Sequence, residues 1–402
     1  MVVLTGNEVE AEAMRQINPH VVAAYPITPQ TEIIQLFTGY VVDGRVDTEL
    51  IRVESEHSAM SACIGAAAAG CRVMTATSSQ GLALMWEVLY IAASLRLPIV
   101  MAVVNRALSG NINIHCDHSD SMGARDAGWV QLFSSNVQEA YDTMIQAVRV
   151  AEQACLPVMV MTDGFLTSHE AEPVLLYPDD QVRAFIGPYR PGYALLDVDH
   201  PITVGPLDFH DYYFEHKRSQ AAAITDAAGV IDQVAREFEQ AFGSRYHAVE
   251  PYRLHDATVG IVAIGSTCGT AEEAVDAARS RGIAAGLLKL RVFRPFPLPQ
   301  IVAGLRHVHA VAVMDRSDGM AGWGGPVGVE IKAALYGLAE RPTVIDYVYG
   351  LGGREITVED LVEVCEELHG IADGQDGGEP VRYLGVREEG AIHEPENARR
   401  EA

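Results

Sequence analysis

The sequence places one carboxylate, that of Glu56, where it could do chemistry. It lies within IRVESEHSAMSACIGAAAAG, residues 51–70, where a short β-rich run ends in acid, Ser, acid and gives way to small residues. This pattern predicts a strand, a turn and a close-packing helix, with Glu56 in the first helical turn. Such a carboxylate is either a helix cap compatible with the helix dipole, or an acid held in a dry cleft to protonate or polarise a cofactor nitrogen.

Two further residues could bind an anion. Thr28 lies between two prolines in YPITP, residues 25–29, so its hydroxyl is either part of a structural turn or rigidly aimed at a substrate carboxylate. Arg106 follows the apolar run Ile99–Val104, where a cation either extends to water or pairs with an anion. From these residues alone, both interpretations stay open.

The loop SGNINIHCDHSD, residues 109–120, is rich in groups that bind metals or protons. Its candidate side chains are His115, Asp117, His118 and Asp120, with Cys116 among them. The spacing matches no standard zinc site, so we predict no metal in this chain. A polar active-site loop that gates the site or discriminates substrates is the favoured interpretation.

Two glycine-rich turns, Gly265–Thr270 and Met320–Gly325, could present backbone N–H groups to a phosphate. The first follows a predicted strand and opens a predicted helix. Neither turn matches the P-loop or the dinucleotide-binding fingerprint. Tight packing of a strand against a helix is therefore the favoured interpretation of both.

The order of the predicted elements shows how the candidate residues come together. From residue 21 to about residue 165, β-like runs alternate with helical patterns, which is typical of a parallel sheet covered by helices. The predicted strands are Val21–Ala24, Leu50–Val53, Val73–Ala76, Ile99–Val104 and Val158–Met161. Ligands of such sheets bind at the carboxyl ends of the strands, where Thr28, Glu56 and Arg106 would converge.

The rest of the chain divides into a linker, a second unit and a tail. Prolines recur from about residue 171, and one long amphipathic helix is predicted at Gln220–Phe242. Strands alternate with helices again from about residue 257. We therefore predict a first domain over 1–245 that includes the Pro-rich linker, a second domain over 246–370, and an extended Gly- and acid-rich tail over 371–402.

Composition and charge limit the possible functions. The chain has 402 residues and a formal net charge of −25, which argues against nucleic-acid binding and against an anionic membrane surface. No signal pattern is present, and the longest apolar region is broken by Arg96 and Pro98, so we predict a cytoplasmic protein without a membrane span. The six cysteines include no Cys-x-x-Cys pair, which disfavours disulfides and iron–sulfur clusters.

Several motifs in combination are specific. They are GNEVEAEAM (6–14), YPITPQT (25–31), VESEHSAMSACIGA (53–66), TATSSQGLALM (75–85), LPIVMAVVNRALS (97–109), DHSDSM (117–122), DGFLTSH (163–169) and LRVFRPFP (290–297). With them the chain resembles the α subunit of pyruvate:ferredoxin oxidoreductase, of the 2-oxoacid:ferredoxin oxidoreductase family, from about residue 6 to residue 353. The resemblance implies a thiamine-diphosphate enzyme that oxidatively decarboxylates a 2-oxo acid to the acyl-CoA and passes electrons through iron–sulfur clusters to ferredoxin. It also implies an α/β fold, with a pyrimidine-binding domain of the thiamine-diphosphate type and a transketolase C-terminal-like α/β domain.

The same resemblance implies roles for the candidate residues. Glu56 matches the glutamate that hydrogen-bonds N1′ of the cofactor's aminopyrimidine. A carboxylate there favours the imino tautomer that removes the C2 proton of the cofactor. Thr28 and Arg106 match the residues that hold the carboxylate of the 2-oxo acid, which orients its carbonyl group for attack.

The resemblance further implies that this chain supplies only half of an active site. Diphosphate and Mg²⁺ are held in such enzymes by a Gly-Asp-Gly motif with a downstream Asn, and no Gly-Asp-Gly occurs here. A β subunit is expected to bring diphosphate and Mg²⁺ binding and a proximal [4Fe-4S] cluster. A γ subunit and a ferredoxin-like δ subunit would complete the complex, with ferredoxin or flavodoxin as the electron acceptor.

One departure leaves the substrate open. His115 and Cys116 stand where members of the family often carry an aromatic residue followed by Asn or Gly. Pyruvate is the expected substrate, with a branched-chain 2-oxo acid or 2-oxobutyrate as alternatives. A non-catalytic transketolase-like scaffold is the contrasting interpretation, and Thr28, Glu56 and Arg106 argue against it because a scaffold needs none of them.

Overall fold

The computed structural model describes residues 1–387 and contains two α/β units, each built on its own sheet. Within this range the strands are β1 (Val2–Thr5), β2 (Val21–Ala24), β3 (Glu49–Arg52), β4 (Val73–Thr77), β5 (Ile99–Asn105), β6 (Val130–Phe133), β7 (Val158–Asp163), β8 (Ala171–Val174), β9 (Val249–Tyr252), β10 (Val259–Ala263), β11 (Ala285–Leu290), β12 (Val292–Arg294), β13 (Ala310–Asp315), β14 (Thr343–Tyr349) and β15 (Val381–Leu384). The helices are α1 (Gly6–Ile17), α2 (Thr31–Val42), α3 (Glu56–Ala68), α4 (Ser79–Leu84), α5 (Trp86–Ser94), α6 (Ser119–Gly123), α7 (Val137–Ala154), α8 (Asp179–Ile186), α9 (Tyr213–Phe242), α10 (Thr267–Ser280), α11 (Leu298–Leu305), α12 (Pro326–Leu335) and α13 (Val358–Ala372), with a 3₁₀ turn at Leu351–Gly353.

The first sheet has the strand order β12-β6-β7-β5-β4-β2-β3 and is parallel except for β12. Helices cover both of its faces, which is why β5 is buried along its whole length. Met101 and Val103 pack in one cluster with α3 and α5, whereas Val100 and Ala102 pack with α1, α2 and α7. A strand buried on both faces needs a continuous apolar run, and the prediction of a parallel, helix-covered sheet is confirmed.

The second sheet has the order β15-β14-β13-β10-β11-β9 and is parallel except for β9. One strand from the later part of the chain joins the first sheet. Strand β12 follows residue 245 in the chain, yet it pairs antiparallel with β6 of the first sheet. In the segment predicted as an extended tail, residues 381–384 form β15, which pairs with β14. The end of that predicted tail, 388–402, lies outside the described residues.

Local capping sets several of the helix starts. At α1, Thr5 and Glu8 form a reciprocal capping box, with the backbone N–H of Glu8 3.3 Å from Thr5 Oγ1 and the backbone N–H of Thr5 2.7 Å from Glu8 Oε2. Thr357 and Asp360 repeat this arrangement at α13. Each box satisfies backbone N–H groups that a helix cannot satisfy internally.

The linker between the units ends in the longest helix. Helix α9 has 30 residues and begins at Tyr213, seven residues before the predicted start. The added first turns bury no side chain, whereas the buried residues of the helix run from Ala223 to Phe238, so the amphipathic pattern marks only the later part. No helix within 1–387 combines the length and the hydrophobicity needed to cross a bilayer.

Candidate active site

Helix α3 begins at the predicted position and carries Glu56 at its first residue. Ser55 is the N-cap, and its Oγ accepts a hydrogen bond of 3.2 Å from the N–H of Ser58. Because Ser55 already caps the helix, the carboxylate of Glu56 is not needed for that purpose. The simple capping interpretation of Glu56 is therefore not what the structure shows.

The Glu56 side chain is buried, with 6% of its surface exposed. It lies against the first turns of α4, where a Cβ atom on Gly81 would come within 2.8 Å of Glu56 Oε1 and 2.4 Å of Thr77 Oγ1. Only a glycine at this position leaves room for the carboxylate. Nearby, the hydroxyl groups of Thr77 and Ser78 are buried and have no hydrogen-bond partner among residues 1–387.

Glu56 differs from every other buried acid in the described part of the chain. The others are Glu10, Asp117, Asp120, Glu139, Asp142, Asp163, Asp315 and Asp346, and each accepts a hydrogen bond from the chain itself. The Glu56 carboxylate forms no hydrogen bond or ion pair within residues 1–387. A buried acid without a partner is costly unless a ligand or a partner chain supplies one.

The structure also brings Thr28 and Arg106 together. Nη1 of Arg106 donates a 3.0 Å hydrogen bond to the backbone carbonyl oxygen of Thr28, and Nε donates one of 3.0 Å to the carbonyl oxygen of Asn113. The arginine is 7% exposed, and its Nη2 has no hydrogen-bond partner in the described range. Thr28 is exposed, so its hydroxyl and this free edge of the guanidinium are open to an anion.

Of the four predicted loop residues, only His115 exposes its side chain, with its ring centroid 5.2 Å from that of Phe165. Asp117 is buried and accepts hydrogen bonds from the N–H groups of Ser119 at 2.9 Å and Gly352 at 3.3 Å. The carboxylates of buried Asp117 and Asp120 bond to the chain itself, and buried His118 bonds through Nε2 while its Nδ1 has no partner within residues 1–387. A role of these three residues in selecting the substrate stays a prediction.

His118 belongs to a buried ionic cluster between the two units. Its Nε2 lies 2.8 Å from Oδ1 of Asp163, whose Oδ2 accepts hydrogen bonds of 3.0 Å from Nη1 of Arg316 and from the N–H of Ser266. Burial opposes ionisation of Asp163, but His118 and Arg316 hold the pKa of that carboxyl well below its usual range. The cluster joins β7 and the 109–120 loop to the start of α10.

The same cluster contains the groups that could hold a metal ion. Ligand atoms of Cys116, His118 and Asp163 lie within 4.8 Å of one another. However, Nη1 of Arg316 lies 3.9 Å from Cys116 Sγ, so a positive charge already neutralises the carboxylate there. Burial raises the pKa of the Cys116 thiol well above its usual range, which disfavours the thiolate that a metal needs. The absence of a metal in this chain stays a prediction that this arrangement supports.

In the glycine-rich turns and at the helix starts that follow them, several N–H groups already bond to carboxylates of this chain. Asp163 takes the N–H of Ser266 ahead of α10. At α12, Asp346 takes the N–H of Gly325 at 2.7 Å, and Asp315 takes that of Gly328 at 2.7 Å. Sequence reasoning assigned no role to Asp163 or Asp346, although an isolated acid within the apolar run of β14 is a signal that could have identified Asp346.

Comparison with solved structures defines the class of this fold. A 2-oxoglutarate:ferredoxin oxidoreductase from Magnetococcus marinus matches with a TM-score of 0.69 and 21% identity, over 91% of this chain and 65% of that chain. A split-gene transketolase matches with a TM-score of 0.56 and 13% identity, over 92% of this chain and 99% of that one. The fold is that of transketolase-like α/β proteins.

Family models give the narrower assignment. Residues 12–236 match the thiamine diphosphate-binding domain of pyruvate flavodoxin/ferredoxin oxidoreductases, and residues 257–361 match core domain II of pyruvate:ferredoxin oxidoreductase. The chain belongs to the pyruvate flavodoxin/ferredoxin oxidoreductase family. The family resemblance expected from the sequence motifs is confirmed.

Similar proteins extend over nearly the whole chain. Pyruvate synthase subunit PorA of Thermotoga maritima is 55% identical over 96% of this chain and 98% of its own length. PorA of Methanocaldococcus jannaschii is 44% identical over 92% and 95%. Ketoisovalerate oxidoreductase subunit VorA of Pyrococcus horikoshii is 42% identical over 92% and 94%.

Proposed function

We propose that this chain is the α subunit of a heteromeric pyruvate:ferredoxin oxidoreductase. The complex converts pyruvate and CoA reversibly into acetyl-CoA and CO₂ and passes the electrons to ferredoxin. The observation that carries the proposal is the carboxylate of Glu56, the one buried acid within residues 1–387 that no group of this chain satisfies. Family membership and the PorA relatives support the same activity.

The residues around Glu56 fit one end of thiamine diphosphate. The Glu56 carboxylate has no partner within residues 1–387 and lies beside the unpartnered hydroxyls of Thr77 and Ser78, a polar group that can meet an aminopyrimidine. Bound thiamine diphosphate supplies the carbanion chemistry by which a 2-oxo acid loses CO₂. Glu56 holds a proton at N1′ of the ring, and its burial strengthens that interaction because the surroundings are poorly polarisable.

Arg106 and Thr28 bind the carboxylate of the 2-oxo acid. The guanidinium is fixed on two sides by the carbonyl oxygens of Thr28 and Asn113, which leaves Nη2 for the ligand. Fixing the cation before the substrate arrives reduces the entropy lost on binding and orients the carbonyl carbon of the substrate. Of the four predicted loop residues, exposed His115 is the one whose side chain can contact the substrate side chain.

The other half of the site comes from partner subunits. Carboxylates of this chain occupy the N–H group of Ser266 before α10 and those of Gly325 and Gly328 at α12. No group of cysteines able to hold an iron–sulfur cluster occurs within 1–387. A β subunit therefore supplies diphosphate and Mg²⁺ binding and a [4Fe-4S] cluster, γ and ferredoxin-like δ subunits complete a cytoplasmic complex, and ferredoxin or flavodoxin accepts the electrons.

A second substrate class has a specific observation in its favour. PorA of Pyrococcus horikoshii and VorA of the same organism are both 42% identical to this chain. Overall identity at this level does not separate pyruvate from 2-oxoisovalerate, although the 55% identity to a PorA favours pyruvate. The alternative is the same chemistry on a branched-chain 2-oxo acid or on 2-oxobutyrate.

The test is Glu56→Gln in the complex purified anaerobically through a tag on this chain. CoA-dependent dye reduction is measured with pyruvate, 2-oxoisovalerate and 2-oxobutyrate. We expect pyruvate to be the best substrate and the variant to lose about 10²–10⁴-fold in kcat with normal assembly, because the glutamine amide cannot move the proton. Glu54→Gln is the matched control, since Glu54 is exposed and bonds only to Ser58 in the described range. Equal activity of wild type and Glu56→Gln contradicts the proposed function, and preference for another oxo acid changes the substrate.

A further inference from the structure

Asp120 lies among the carboxyl ends of the strands of the first sheet, and its carboxylate is hydrogen-bonded within the chain itself. It is 3% exposed, and its carboxylate accepts four hydrogen bonds. Oδ2 accepts from the backbone N–H groups of Ser79 at 2.9 Å and Arg106 at 3.0 Å, and Oδ1 accepts from the N–H of Ser121 and Nδ2 of Asn105, both at 2.7 Å. One carboxylate thus joins the chain after β4 to the chain after β5.

The two segments that Asp120 joins carry the two halves of the proposed site. Ser79 opens α4, two residues before the glycine against which Glu56 packs. Its backbone φ of +46° is unfavourable for a residue with a side chain, so the turn needs contacts that hold it. Arg106 carries the guanidinium proposed to bind the substrate carboxylate.

We propose that Asp120 is a positioning residue. It fixes the turn behind Glu56 relative to the backbone of Arg106, and so sets the spacing between the cofactor end and the carboxylate end of the site. The catalytic consequence of this role rests on the proposed function. The hydrogen-bonded link between the two segments does not depend on the proposed function.

The link requires an acid rather than an amide. All four partners of Asp120 are donors, and each of its oxygen atoms accepts two hydrogen bonds. An asparagine has only one acceptor oxygen for these two pairs of donors. If its NH₂ group faces Ser79 and Arg106, both backbone N–H groups lose their acceptor; if its oxygen faces them, the N–H of Ser121 is left unsatisfied and the two remaining bonds lose the negative charge that strengthens them. Asp120→Asn therefore changes little in volume but weakens the hydrogen-bonded link in either orientation.

Asp142 offers a matched control. It is fully buried, burial raises the pKa of its carboxyl to about 6 as it does for Asp120, and it accepts hydrogen bonds from the side chains of Gln138, Tyr177 and Tyr246. These partners are in α7, the chain before α8 and the chain after α9, away from the strand-end turns. Asp142→Asn also leaves a buried amide among polar groups, so it reproduces the general loss of stability.

The experiment compares Asp120→Asn and Asp142→Asn in the assembled complex. Hydrogen–deuterium exchange is followed in residues 77–82 and 105–108, steady-state kinetics are measured with pyruvate, and binding of oxamate, an unreactive analogue, is measured by calorimetry. For Asp120→Asn we expect exchange to accelerate about tenfold or more in both segments together. We expect oxamate to bind more weakly, and kcat/KM to fall about 10- to 100-fold with a rise in KM, because the guanidinium is displaced. Asp142→Asn should leave these quantities within about twofold of wild type.

Several results would overturn the inference. Exchange that accelerates in only one of the two segments, or in neither, contradicts the proposed link between them. An equal fall in kcat/KM for Asp142→Asn shows general destabilisation instead. If Asp120→Asn does not assemble, Asn105→Ala removes a single donor and should produce the same paired change at smaller amplitude, so unchanged exchange and kcat/KM in that variant also reject the role. A wild-type complex that is inactive with every 2-oxo acid refutes the proposed function, while the exchange data still test the link.

Discussion

Gly81→Ala tests the packing of Glu56 most directly, because the change is one methyl group. Gly81 lies in α4 with an ordinary helical backbone, so alanine fits its conformation and should favour the helix by about 1 kcal/mol. The new Cβ would meet Glu56 Oε1 at 2.8 Å and Thr77 Oγ1 at 2.4 Å. Either the carboxylate or the turn must move.

The size of that movement follows from the contact distances. An ordinary contact begins at 3.4 Å, so the carboxylate oxygen must yield by about 0.6 Å and the threonine hydroxyl by about 1 Å. Misplacing a catalytic group by about 1 Å can cost about 10²-fold in rate, or about 2.7 kcal/mol. Overpacking costs about 1–3 kcal/mol of stability, which the gain in helix propensity partly offsets. We therefore expect kcat to fall about 10- to 100-fold with only a small change in melting temperature.

The assay measures kcat and KM for pyruvate, the thiamine diphosphate requirement, and the melting temperature of the complex. Gly65→Ala is the control, because Gly65 is in α3, the helix of Glu56, and nothing lies within 4 Å of an added Cβ there. It should raise stability by about 0.5–1 kcal/mol and leave kcat unchanged. A Gly81→Ala complex with wild-type kcat would show that the position of the Glu56 carboxylate does not limit the reaction.

Three further predictions concern stability. Burial raises the pKa of Glu10 to about 8, above its usual value of 4.5, so the stability it contributes in the protonated form is complete below about pH 4.5 and is lost as the pH rises toward 8. In urea titrations, the free energy of unfolding of Glu10→Gln should therefore rise relative to that of wild type by about 1.4 kcal/mol for each pH unit between pH 4.5 and pH 8. Asp163→Ala leaves Arg316 buried without its carboxylate and should cost about 3–5 kcal/mol in the same assay. Gly328→Ala places a Cβ atom 2.3 Å from Oδ2 of Asp346 and should cost about 1–3 kcal/mol, seen as a lower melting temperature.

Each of these has an outcome that contradicts it. Parallel stability curves for Glu10→Gln and wild type between pH 5 and 8 would mean that Glu10 ionises normally. A small loss for Asp163→Ala, similar to that of the exposed Asp256→Ala, would mean that water replaces the lost partner. For Gly328→Ala the control is Gly269→Ala in α10, where nothing lies within 4 Å of an added Cβ, and equal melting temperatures would refute the predicted clash.

The central elements of the fold follow from the sequence because the signal is local. Val21–Ala24 has the predicted bounds, since it combines an apolar run with turn residues on either side. Residues 82–94 have the pattern of a single helix in the sequence, but the structure divides them between α4 and α5, which meet at the buried residue Met85. That break depends on packing against other elements, and no Gly or Pro marks it at that position.

The same distinction between local sequence signals and long-range contacts applies to the candidate site. The position of Glu56 at a helix start follows from a local pattern, as does the end of a strand just before Arg106. The bonds of Asp120 do not, because its partner Ser79 is 41 residues away in the chain. An acid in a polar loop has the same local sequence whether it faces a ligand or satisfies distant backbone groups. Only the folded arrangement separates the two cases.

This distinction explains why one acid stands out. Buried carboxylates serve as internal anions in this fold: Asp163 holds the start of α10, Asp315 and Asp346 hold that of α12, and Asp120 holds the strand ends. Each of these acids meets the cost of burial with donors from its own chain. Glu56 is 6% exposed and has no such donor within residues 1–387, so its carboxylate is available to a donor from outside the chain. This pattern leaves one acid for a ligand, as the proposal of an active site shared with a partner subunit requires.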